Sequence, residues 1–229
     1  MTLRPVRRSA GRGSPVTSLL VGLAILVVAS FAAGSLANVR RGSAALRWMQ
    51  GGLPKLGART TVRWLGTTAV QLSLREPAAP FREVTVIVFL EPRDLPWAWA
   101  WARSRRGGRR DALIVRATLL DPPHLELEAL DPQSWSGREA LGRLPASAGW
   151  MAGGFVAPTG MRVLARAPEA RARAEELLSL TARVGVPVWR FSVRSAAPHL
   201  QLHLALPGTA VAASALFETV RRLAEAASH

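Results

Sequence analysis

Two hydrophobic rhythms divide this chain. From Val16 to Val39 the residues VTSLLVGLAILVVASFAAGSLANV carry no charge. At about 1.5 Å rise per residue, a helix of roughly 20 such residues crosses a hydrocarbon layer of about 30 Å. Beyond Arg41 the apolar positions begin to alternate. TTVRWL puts Val62 and Trp64 on one face, AVQLSL puts Val70, Leu72 and Leu74 on one face, and REVTVIVFL is apolar enough for a central strand. DALIVRATLL and HLELEAL, joined at Pro122-Pro123, read as two more. A period of two marks half-buried strands, and five of them with short connections predict an antiparallel meander.

The second half mixes periods. MRVLARA reads as a strand. PEARARAEELLSLTARVG reads as a helix, with Pro168 in its first turn, Glu169 near its start, Leu177, Leu178 and Leu180 along it, and Gly185 as its stop. VPVWRFSV and HLQLHLAL follow as a hairpin across Ala196 to Pro198, and a last helix is predicted from Thr209 to Ala227 with Val211, Leu216, Val220 and Leu223 on its buried stripe. The expected class is α+β: an N-terminal transmembrane helix followed by a largely antiparallel sheet with helices packed on one face. The expected divisions are a basic tail (1–15), the span (16–39), a juxtamembrane helix and linker (40–58) cut by Gly51-Gly52 and Pro54, and the α+β domain (59–229). A Gly-, Ser- and Pro-rich stretch over 132–158 reads as a connecting region and marks a sub-boundary, unless the halves share a sheet. DPPHLELEAL and APHLQLHLAL echo one another, a weak sign of duplication.

The start of the chain has two readings. Arg4, Arg7, Arg8 and Arg12 before an apolar run, with Ser35-Leu36-Ala37 after it, suit a cleaved secretory signal. The run exceeds the ~7–15 residues of a signal core, which favours an uncleaved anchor. Arginines flank both ends, so charge barely orients the span; the N-terminal amine tips the expectation toward tail inside and domain outside the cell membrane.

Composition narrows the chemistry. There is no cysteine in the 229 residues, which excludes disulfides, thiolate metal sites and cysteine nucleophiles. The net charge of +15 suggests anionic partners, yet Lys55 is the only lysine and Asn38 the only asparagine, so part of the arginine excess follows from codon usage. His199 and His203 are four apart in a strand-like Leu-x-Leu pattern, where four residues span about 13 Å, too far for one ion. They are expected on the solvent face of the sheet, as are His124, Glu126 and Glu128. No nucleophile elbow, phosphate loop or dinucleotide fingerprint is present. The expectation is therefore no cofactor, no metal and no catalytic residue.

One stretch stands apart, PWAWAWARSRRGGRR at 96–110. Asp94 suits an N-cap, Pro96 the first turn, arginines the last turn and Gly107-Gly108 the stop, which predicts a helix from Leu95 to Arg106. Trp97 and Trp101 then lie about 40° apart and are expected to face the sheet, with Trp99 opposite among arginines. Stacking within the protein, contact with anionic headgroups and binding of single-stranded nucleic acid all use these residue types. The absence of a nucleic-acid motif makes the last the weakest. The expected membrane-interface set is Trp99, Arg103, Arg105, Arg106, Arg109 and Arg110. The functional expectation is a single-pass, non-enzymatic accessory or interaction module lying against an anionic bilayer. The alternative is an enzyme or nucleic-acid-binding domain whose site forms only in three dimensions.

Overall fold

The alternating segments fold into one nine-stranded antiparallel sheet in the computed structural model, which describes residues 14–104, 108–144, 149–156 and 159–228. The strands are β1 (Gly57–Trp64), β2 (Ala69–Pro77), β3 (Phe81–Phe89), β4 (Ala112–Leu119), β5 (Leu127–Leu130), β6 (Met151–Val156), β7 (Met161–Ala165), β8 (Val188–Val193) and β9 (Leu200–Ala205). Their order across the sheet is β1-β2-β3-β4-β9-β8-β5-β7-β6. β1 to β4 form the expected meander. β5 leaves it and pairs between β8 and β7, while β4 pairs instead with β9, so one sheet runs through both halves of the chain. β6 lies in the stretch expected to be a connecting region. It is an edge strand, and its Gly153 lets the backbone come close to Val163, whose carbonyl oxygen would lie 2.7 Å from a Cβ there.

The helices are α1 (Pro15–Gln50), α2 (Pro96–Ser104), α3 (Trp135–Arg143), α4 (Pro168–Ala182) and α5 (Ala213–Ser228). The sheet's inward row, including Leu113, Val115, Leu200, Leu202 and Leu204, packs with α4 and α5 into the main core. Leu216, Phe217, Val220 and Leu223 of α5 are each at most 1% exposed, and each such burial stabilises by about 1.5–3 kcal/mol. Val211, expected on that stripe, lies before the helix, where its carbonyl accepts from Trp48 Nε1 at 2.7 Å. α3, within the expected connecting region, covers the opposite sheet face through Ala140, which joins Leu130 and Leu164 in a small second cluster.

Helix α1 does not end at Val39. It continues to Gln50, and Gly34, Asn38, Gly42, Ala45 and Met49 form one buried stripe along its C-terminal half. Spacings of three and four residues put them on one side of the helix. Met49 and Leu53 lie in the main core, so the segment expected to be a linker is part of the domain. Gly52 allows this, since a Cβ there would meet the Ala213 carbonyl oxygen at 2.4 Å. The N-terminal half from Pro15 to Ala33 touches nothing substantial; every residue in it is exposed except the half-buried Ser30. At 1.5 Å per residue that free length is about 28 Å. The helix is long and apolar enough to cross a membrane.

Candidate functional site

α1 leaves the domain beside α2, and glycine sets how closely they meet. A Cβ on Gly34 would lie 2.0 Å from the Arg93 carbonyl oxygen and 2.6 Å from the Asp94 Cα, so only glycine permits this approach. Below that contact a cluster of charges joins the helix to the sheet. Asp111, at the start of β4, accepts from the Glu91 amide at 2.8 Å and from both terminal nitrogens of Arg93 at 3.0 Å, and Arg41 of α1 pairs with the same carboxylate. Arg93 also donates to Asn38 Oδ1 at 3.2 Å. Burial alone would raise the Asp111 pKa, but the Arg93 hydrogen bonds, the Glu91 amide and the charges of Arg93 and Arg41 outweigh it and hold the carboxyl below its ordinary value. Helix α1 is thereby tied to the domain by the half-exposed Arg41, which pairs with Asp111, and by Asn38, which accepts from Arg93, while the bidentate Arg93–Asp111 pair holds their partners in place.

The helix expected over Leu95–Arg106 is present as Pro96–Ser104, and its tryptophans divide between two sides as expected. The assignment of those sides is reversed. Trp99 is half-buried, donates its indole N–H to Glu91 and lies 5.6 Å beneath the Arg103 guanidinium, which is itself 3.4 Å from Glu91. Trp97 and Trp101, expected to pack on the sheet, are 59% and 58% exposed, with Leu95 at 41%. The reason is Glu91, a 4%-exposed carboxylate at the end of β3 that needs donors and takes them from Trp99, Arg103 and Arg93. Of the remaining expected interface residues, Arg109 is exposed and stacks over Trp135 at 5.7 Å, and Arg110 is half-buried and donates to the Arg103 carbonyl at 3.0 Å. Arg105 and Arg106 lie outside the described residues.

The other sheet face holds chemistry that the strand pattern placed in solvent. Glu128 is fully buried rather than solvent-facing. It accepts from Arg190 Nε at 3.0 Å and its terminal nitrogen at 2.8 Å, from Arg194 Nε at 3.1 Å and its terminal nitrogen at 2.5 Å, and from Ser192 Oγ at 2.7 Å. His199 and His203 are likewise buried, at 6% and 7% exposed. His199 Nδ1 accepts from the Leu119 amide at 3.0 Å. His203 points to the expected face, but α3 roofs it: Ser136 Oγ is 2.6 Å from His203 Nδ1, and Nε2 has no partner among the described residues. Burial, then the charges of Arg190 and Arg116, push the His203 pKa down to about 3. No carboxylate orients the ring from Nε2 among the described residues, so the third group of a nucleophilic triad is absent there.

Among the described residues no group of three histidines or carboxylates is placed to hold a metal ion. No protein-family model matches the chain, and no curated protein is significantly similar to it in sequence.

Proposed function

We propose that the chain is a single-pass membrane-anchored interaction module whose α+β domain is seated on the bilayer surface by α2. The observation that carries this reading is a coincidence of levels. The unpacked part of α1, Pro15 to Ala33, is about as long as a hydrocarbon core is thick, and packing begins at Gly34, where the loop leading into α2 crosses the helix. The exposed Leu95, Trp97 and Trp101 therefore fall at headgroup depth, where indoles are favoured. Arg109 and Arg110 follow α2 in the connection to β4, and each arginine near an anionic leaflet adds about 1 kcal/mol. The membrane-facing indoles are those of Trp97 and Trp101, while Trp99 and Arg103 brace α2 from behind. The clamp on Asp111 keeps the span at a fixed angle to the domain, so α2 meets the surface without further ordering cost.

Two measurements test the reading on the full-length chain. Alkaline carbonate should leave it in the membrane pellet; release into the supernatant removes the anchor. In bilayer nanodiscs whose lipids carry bromine near the headgroup, intrinsic tryptophan emission should be quenched, and most of that quenching should disappear in the Trp97→Phe, Trp101→Phe double variant. Equal quenching in the two proteins means that α2 does not touch lipid.

A further inference from the structure

A cavity of about 270 Å³ lies between α3 and the sheet face it covers, just below the roughly 300–1,000 Å³ of drug-sized ligand sites and so suited to a smaller molecule. Its floor is a cross-strand row fixed by register: Ile114 of β4 stands opposite His203 of β9, and His203 opposite Arg190 of β8. Such partners stand about 4.5–5.5 Å apart, so an apolar, an imidazole and a guanidinium side chain share one surface. The walls are of two kinds. Phe89, which is 38% exposed, joins Trp135 and Ile114 to form an apolar side. Arg109, Arg110 and Arg116 supply three cations for which no carboxylate partner is found among the described residues.

The remaining polar groups are oriented in advance. Glu128 holds the Arg190 fork from behind with two hydrogen bonds, and Ser136 fixes the His203 ring through Nδ1. His203 Nε2 is itself buried out of reach of solvent and unpaired among the described residues, so the polar groups open to the cavity are the guanidinium groups. Several guanidinium groups around one cavity match a multiply charged oxyanion better than a single carboxylate, and the aromatic wall calls for an apolar body attached to it.

We infer that this cavity binds a phosphate monoester carried on an apolar or aromatic body, the phosphate lying against Arg116 and Arg190 and the body against Phe89 and Trp135. Two sources offer that chemistry: a soluble organic phosphate and a monoester lipid headgroup. The second is reachable because Leu90 and Pro92, in the connection from β3 to α2, line the same cavity.

Phenyl phosphate is the probe, titrated calorimetrically into the full-length chain in uncharged detergent micelles, a setting independent of whether α2 touches lipid. The wild type should bind it, and more tightly than inorganic phosphate, which lacks the apolar part. Arg116 is exposed and has no structural partner among the described residues, so Arg116→Ala should fold normally yet bind about tenfold more weakly. Arg63→Ala, on the far edge strand, should bind as the wild type does. A second arm places the chain in nanodiscs of phosphatidylcholine with either phosphatidic acid or phosphatidylglycerol. Loss of phenyl phosphate binding with phosphatidic acid alone identifies the leaflet as the source, and unchanged binding in both identifies a soluble ester. Failure of the wild type to bind phenyl phosphate at millimolar concentration, or equal affinity in Arg116→Ala, overturns the assignment.

Discussion

Replacing Asp111 by asparagine tests how α1 is held. Asp111 is 8% exposed and receives an amide and a bidentate arginine from the connection between β3 and α2, and a second arginine from α1. The substitution keeps the shape but removes the charge, so Arg93 loses its bidentate partner and keeps as an ion pair only the longer 3.5 Å contact with Glu91, and the new amide group points donors at guanidinium donors. Breaking a buried pair from one side costs about 3–5 kcal/mol. Arg41 is more than half exposed and recovers water, so the lower part of that range, about 3 kcal/mol, is the expectation. For a chain of this size 1 kcal/mol moves the midpoint by about 2–4 °C, which gives a fall of about 6–12 °C at neutral pH. The assay is thermal unfolding of the full-length chain in detergent, followed by near-ultraviolet circular dichroism. pH supplies the internal control. Because the folded carboxyl titrates below its ordinary value of 3.8, its contribution is complete above that value and is lost as the pH falls through the lower, folded one. The difference between wild type and Asp111→Asn should therefore narrow in strong acid. A gap of less than about 2 °C at neutral pH, or one that persists unchanged in strong acid, refutes the assignment of the clamp to this carboxylate.

Glu128→Gln should destabilise by about 3 kcal/mol or more in urea unfolding, because Arg190 and Arg194 share that one fully buried carboxylate. The same variant should weaken phenyl phosphate binding, since the Arg190 fork loses its support. His203 stays neutral in the fold down to about pH 3 whereas the unfolded chain takes up a proton near 6.5, so stability should fall with decreasing pH across that window. The slope approaches about 1.4 kcal/mol per pH unit, and His203→Gln should flatten it in the same urea titrations.

The sequence alone determined what depends on local periodicity and chain chemistry. The charge-free run, the period-two strands β1 to β4, the helix α4 with its Pro168 start and the buried leucines of α5 are all legible, because each is written in a spacing that one element imposes on its own residues. The α+β class follows from their order. Even the division of the α2 tryptophans between two sides is helical arithmetic. Which side faces the protein is not, for it rests on the burial of Glu91, a carboxylate in the connection before α2 whose exposure no helical spacing reports. The same limit hid α3 and the cavity beneath it. Glu128 and His203 sit at alternate strand positions that read as solvent-facing, and they become interior only because α3 lies across the sheet and arginines from β8 and the loop after it satisfy the carboxylate. The docking of α1 beyond Val39 likewise needed Gly34 and Gly42 to meet Arg93, Trp64 and Leu90, residues distant in the chain. Periodicity reports which face of an element is apolar; whether a polar face is covered, and by what charge, depends on contacts between segments that no single segment encodes.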